Sequence, residues 1–379
     1  MFDRKYLIKH CGGLDKLKKS RETQIRRETL TRIKANAFKG LGNLEELDLN
    51  ANLIQVIDSN AFVYLTGLKT LYVALNKLKA IETNSFKGLK RLEKLDLRSN
   101  QIDTIRSNAF IDLSSLQYLC LEHNGLKKLV ANVFKGLTNL STLDLENNQI
   151  EEVDSRAFSD TSNITYLKMG YNKLKLVGSK MFKPLTHLEF LRLSNNQIEM
   201  IDSNAFEDLA KLTTILLYNN NLTEIDSNTF QGLQNLEQLD ISRNKLEKIV
   251  FSNITNLREL VLFKNLLKVI EAYTFKSLLS LETLRLEENK IEMIEANSFV
   301  DLPCLKKLSL NQNKLNRIDT DIFKDLTGLE YLDLSNNNIE TIESNGFGNL
   351  PSIRFGWLSL NKLKTVEREI LDSLQNRYN

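Results

Sequence analysis

A step of 24 residues constrains this chain more than any other feature. Stretches of the form LxxLxLxxN begin at Leu44, Leu68, Leu92, Leu116, Leu140, Ile164, Leu188, Leu212 and Leu236, each 24 residues after the last. The next begins at Leu257, a step of 21, and steps of 24 resume at Leu281, Leu305, Leu329 and Ile353. A degraded copy over Ser20–Asn43 precedes these fourteen and keeps only Leu30, Ile33, Phe38 and Leu41. Self-similarity at one fixed period means one supersecondary unit stacked many times, because a single unit cannot bury its own apolar face.

The apolar letters have a mechanical reading. LxxLxL is a short strand whose leucines point inward. The Asn that ends it recurs in every copy, from Asn52, Asn76 and Asn100 to Asn337 and Asn361. Asn suits a tight bend after a strand because its amide both donates and accepts hydrogen bonds. A Phe column follows, from Phe38 and Phe62 to Phe323 and Phe347, interrupted only in the 21-residue copy. "DSN" before that Phe, as in Asp58-Ser59-Asn60 and Asp202-Ser203-Asn204, has the residue types that cap a short helix or a turn.

These letters together resemble the leucine-rich-repeat family in its 24-residue "typical" class, LxxLxLxxNxLxxIxxxxFxxLxx. The resemblance covers about residues 20–376. It implies an α/β leucine-rich-repeat solenoid, or horseshoe. Its parallel sheet lines the concave wall, and short helices or turns form the convex side. It also implies that the Asn side chains form a ladder between coils and that the Phe column is a spine behind the sheet. Two segments follow: residues 1–19 as an N-terminal cap-like piece and 20–379 as the repeat domain. Tyr6, Leu7, Ile8, Leu14 and Leu17 are placed to cover the first coil, and Val366, Ile370, Leu371 and Leu374 to complete the last.

Three breaks stand out. The copy Leu236–Asn256 carries "VFSNITN" where Phe-xx-Leu belongs, and a flatter convex side is expected there. Thr161 and Gly356 occupy leucine positions and are expected to weaken the core.

The strand letters between the leucines drift, as a binding face requires. Tyr166, Lys168, Tyr171, Phe190, Arg192, Leu216 and Tyr218 are expected to share one patch, with Val261 and Phe263 further along, in the aromatic-plus-arginine composition of interface hot spots. The competing reading is scattered surface aromatics. Asp96, Glu122, Asp144 and Glu146, beside His123, form a second, acidic group. It suits solvated carboxylates, a basic partner or calcium. Phe355 and Trp357 on the last copy suggest a contact with a cap or neighbour.

Composition excludes several classes. Hydrophobic residues make up 42%, which rules out global disorder, and a net charge of +3 gives no bulk drive toward nucleic acid. No apolar run approaches the ~20 residues of a membrane helix, so no direct membrane insertion is expected. The first twenty residues lack the apolar core of a signal peptide. Cys11, Cys120 and Cys304 show neither disulfide framework nor metal spacing. Cys120 and His123 do not form a catalytic pair at strand spacing, and no phosphate loop or oxyanion loop is present, so no enzyme and no cofactor is expected. Asn139, Asn163, Asn221 and Asn253 head glycosylation sequons, at a frequency this composition produces by chance.

The resemblance therefore implies a non-enzymatic recognition module for a protein or glycoprotein ligand. Slit-like and Toll-like receptor ectodomains are of this type, extracellular or at the cell surface, and a homodimer stays open. The alternative is a cytoplasmic scaffold or regulatory subunit, which fits the unpaired cysteines.

Overall fold

The computed structural model describes residues 18–251, 254–343, 345–348 and 350–364. The caps expected from Tyr6, Leu7, Ile8, Leu14 and Leu17 and from Val366, Ile370, Leu371 and Leu374 lie outside them, as does Asn253. Two compact units divide the chain: Met1–Leu174 with Lys180–Arg192, and Lys175–Ser179 with Leu193–Asn379.

In the first unit, eight three-residue strands run from Glu22–Gln24 to Phe190–Arg192, parallel and in register. In the second, seven run from Thr214–Leu216 to Phe355–Trp357. Register follows the repeat: Thr142 stands beside Tyr166 and Leu143 beside Leu167. In the short copy the partner shifts by three residues, so Gln238 stands beside Glu259. Between the first strand, whose middle residue is Thr23, and the last, whose middle residue is Gly356, each middle residue is an apolar side chain aimed inward; Leu71, Leu95, Leu119, Leu143 and Leu167 have no exposed surface. Period-2 alternation turns the flanking residues outward. The return path consists of turns, so of the helices or turns expected there, turns are what form.

The asparagine ladder follows one grammar. Asn172 Nδ2 donates to the carbonyls of Leu145 (2.9 Å), Met169 (3.2 Å) and Gly170 (3.1 Å), while its Oδ1 accepts the Ile150 amide at 2.9 Å. Asn76 and Asn148 repeat this in the preceding coils. Asn265 keeps it across the short copy, accepting from Leu246 at 3.1 Å and donating to Ile241 at 3.1 Å. The backbone just before each ladder Asn is left-handed, at Ala51 (φ 54), Leu75 (φ 57), Tyr171 (φ 54) and Arg243 (φ 52). The amide of the ladder Asn bonds three carbonyls of this bend and the coil before it, which holds ordinary side chains in a region they rarely occupy.

Behind the strands the Phe rings stack, 6.2 Å apart at 4° for Phe62 and Phe86 and 5.9 Å at 3° for Phe275 and Phe299. Offset rings at this spacing add attraction beyond the area they bury. The spine extends into the short copy, where Phe251 stacks on Phe230 at 6.3 Å. Thr161 is no weak point either; it is fully buried and its hydroxyl donates to the Phe158 carbonyl at 3.0 Å. Asn60 (φ 63) and Asn204 (φ 61) show why "DSN" precedes the spine: Asn tolerates the left-handed turn needed there.

A second set of two-residue strands joins coils only in pairs. Examples are Ala80–Ile81 with Thr104–Ile105, and Leu176–Val177 with Met200–Ile201. The intervening steps between pairs are open.

Replacing Asn172 with Leu tests the ladder. The Ile150 amide loses its partner, at about 1–3 kcal/mol for a buried unsatisfied group, and the carbonyls of Leu145, Met169 and Gly170 each lose one hydrogen bond. A clearly lowered melting midpoint is expected in a thermal scan of Asn172→Leu. An unchanged one would remove the ladder from the account.

Candidate functional site

The exposed face of the strands carries the side chains singled out in the sequence. In the first unit, Tyr166 stands in register with Phe190 and Lys168 with Arg192. The Tyr166 and Phe190 rings stack at 5.9 Å, and Tyr166 remains 46% exposed. Tyr171 is equally exposed at the left-handed bend, and the Arg192 guanidinium lies 5.7 Å from its ring centre. Tyr166, Lys168, Tyr171, Phe190 and Arg192 thus form one patch on two adjacent coils.

The acidic group is built into this patch. Lys168 Nζ lies 3.2 Å from Asp144, and Arg192 lies 3.1 Å from Glu146. Asp96 is buried and held by Arg98, with Nη2 at 2.7 Å and Nε at 2.9 Å from Oδ2. Asp48, also buried, is held by Arg26. Asp96, Asp144 and Glu146 are therefore not solvated carboxylates. Each lies under a cation from its own coil or the coils that follow. Burial and the nearby Asp144 push the Glu146 carboxyl up, and Arg192 opposes that shift. The two cations read in the sequence as ligand contacts are largely spent inside the protein. What the patch offers a partner is aromatic surface.

Cys120, Glu122 and Asp144 bring three donor atoms within 4.8 Å of one another. Glu122 is met by His123 Nε2 at 3.3 Å and Asn147 Nδ2 at 3.4 Å, and Asp144 by Lys168. Burial first, then the charges of Asp144 and Asp96, push the Cys120 thiol up to about 11. At neutral pH it is a protonated thiol, unsuited to nucleophilic attack. His123 turns to Glu122, not to Cys120.

In the second unit, Leu216 and Tyr218 are half-buried on the strand face. Phe263 lies between two guanidinium groups, Arg243 at 5.3 Å and Arg285 at 5.0 Å. Arg285 is tied to Glu287. Val261 is only 3% exposed; it is a short side chain set in register between Asp240 and Arg285, and it offers a partner no surface. Tyr331, Phe355 and Trp357 cluster on the last two coils, with Trp357 4.5 Å from Tyr331 and 5.7 Å from Phe355. Gly356, in the leucine position between them, is exposed.

Sequence reasoning missed the counter-ions of Asp144 and Glu146 because they are nonlocal. Lys168 lies 24 residues from Asp144, and Arg192 lies two coils from Glu146. Reading down one strand position, rather than along the chain, exposes the first of these pairs. It also missed Arg243, which no strand position contains.

With the stacked coils and their ladder in place, the family models for leucine-rich repeats fit onto them. One matches residues 23–78, 66–126, 255–315 and 305–355; a BspA-type leucine-rich-repeat region, in six copies, matches 103–237 and 151–268. The chain belongs to the leucine-rich-repeat family. No curated protein matches it. Among solved structures, a leucine-rich-repeat protein of Leptospira interrogans is 26% identical, with a TM-score of 0.75 over 99% of this chain and 91% of that one. A chain of the Drosophila Toll–Spatzle complex is 25% identical, with a TM-score of 0.82 over 98% of this chain; the match spans half of that longer chain. The ectodomain of the Arabidopsis receptor kinase GASSHO1/SCHENGEN3, in complex with Casparian strip integrity factor 2, shares the fold at 22% identity and a TM-score of 0.62. That match covers 92% of this chain and 42% of the other. Among the described residues, no helix is long and apolar enough to cross a membrane.

Thiol chemistry checks the site's electrostatics. In a Cys11→Ser variant at pH 8, a disulfide reagent is expected to titrate exposed Cys304 quickly and Cys120 only after denaturation. Fast reaction of both in the native state would contradict the burial of Cys120.

Proposed function

We propose that this leucine-rich-repeat protein is a non-enzymatic recognition module that binds a protein ligand through the exposed face of its strands. The observation that carries this reading is the Tyr166–Phe190 stack, flanked by Tyr171 under Arg192. Large aromatic rings fixed by neighbours supply contact area at little entropic cost. The internal pairing of Lys168 and Arg192 presets the patch before any ligand arrives. Leu216, Tyr218 and Phe263, half-buried on the second unit's strand face, are a separate set of candidate contacts. A glycoprotein would meet the same face.

The likeness to a chain of the Toll–Spatzle complex supports an extracellular or cell-surface setting, where this chain would act as a receptor-type or secreted binding module. The second reading is a cytoplasmic scaffold. Cys120 and Cys304, both free, favour it, because unpaired thiols persist in a reducing compartment.

The test is affinity capture from the native source, followed by calorimetry on the recovered partner. Tyr166→Ala with Phe190→Ala is expected to cost roughly 2 kcal/mol or more of binding energy at an unchanged melting midpoint. Equal affinity for the double variant would move the binding surface elsewhere.

A further inference from the structure

A second surface lies away from the strand face, within the second unit. There the short strands Leu176–Val177 and Met200–Ile201 are paired, and backbone bonds join them: Glu199 N to Lys175 O and Asp202 N to Val177 O, both 2.9 Å. The next step is open. Among the described residues, no such bond joins Thr223–Asp226 to Glu199–Ile201. A groove of about 800 Å³ occupies this opening. Met200 and Val250, 56% and 51% exposed, form its apolar part.

Its charge is one-sided. Glu199, Asp202, Glu224 and Asp226 line it, and among the described residues no Lys or Arg does. Asp202 and Asp226 accept turn amides from Ser179 and Asn228. Glu199 and Glu224 form no ion pair among the described residues. Another groove of this unit, about 570 Å³ between Met293–Ile294 and Arg317–Ile318, makes the contrast. It carries its own cation, Arg317, 2.9 Å from Asp319.

We propose that the groove between Met200–Ile201 and Glu224–Ile225 is a second docking surface, for an extended segment of a protein partner that alternates basic and apolar side chains. Period-2 alternation places the cations of such a segment on Glu199 and Glu224 and its apolar side chains on Met200 and Val250. The open step leaves backbone groups of both coils free to pair with an added strand. This surface is independent of the aromatic patch; either can be lost without the other.

The experiment uses the full chain and a fluorescein-labelled Lys-Val-Lys-Val-Lys-Val peptide, followed by anisotropy. Saturable binding is expected, weakened about tenfold or more by Glu199→Gln with Glu224→Gln, the loss of two charge-assisted contacts. Glu292→Gln with Glu340→Gln, in the groove that holds Arg317, and Tyr166→Ala with Phe190→Ala are expected to leave it unchanged. These substitutions are isosteric or on a surface, and a melting scan confirms folding. Three results would overturn the proposal: no saturable binding, equal binding by Glu199→Gln with Glu224→Gln, or equal binding of a peptide with Glu in place of Lys.

Discussion

Everything in this molecule rests on the amide of one asparagine per coil. A three-residue strand has too few backbone bonds to fix the bend that follows it, and that bend is left-handed at residues such as Leu75 and Tyr171. The ladder Asn supplies the missing partners, tying its own bend to the coil before it through one carboxamide. At about 1–3 kcal/mol for each buried group left unsatisfied, the column outweighs any exposed ion pair, which contributes about 0–1 kcal/mol. The leucines and the Phe spine then fill the space that the ladder defines.

This division of labour frees the strand face. Residues such as Tyr166 and Phe190 belong to neither the ladder nor the spine, so their identity is open to selection for binding. The same logic reaches the buried acids. Asp96 and Asp144 sit at strand positions that face outward, yet each is covered by a long cation, from Arg98 or Lys168. Cations on this face therefore act first on the protein itself. In the proposed contact surface one ring, Tyr171, lies against an arginine that Glu146 already holds.

Much of the fold was legible in the sequence, because the repeat states each core position many times over. The strands and the inward leucines follow from the letters alone, and the Asn ladder and most of the Phe spine from the family the letters resemble. What the letters concealed was substitution by an unlike residue in a working role. Phe251 continues the spine from within "VFSNITN", and Thr161 fills a leucine site by bonding its hydroxyl. The candidate site was legible only in part. The patch residues could be placed on one face by register. Their ionic partners could not, since those depend on how long side chains cross between coils. The burial of Val261 depends on its longer neighbours in the same way. The pairwise joining of the short strands, and hence the grooves between pairs, has no sequence signature at all in a repeat whose copies look alike.

Residue-resolved hydrogen exchange tests most directly the claim that ladder and binding face are separate systems. The Leu78, Ile102, Leu126 and Ile150 amides donate to ladder asparagines. They are expected to exchange only as slowly as the first unit opens as a whole, and at the same rate when Tyr166 and Phe190 are both replaced by Ala. Exchange of these amides as fast as that of the exposed turns, or faster exchange on truncating the two rings, would contradict the account.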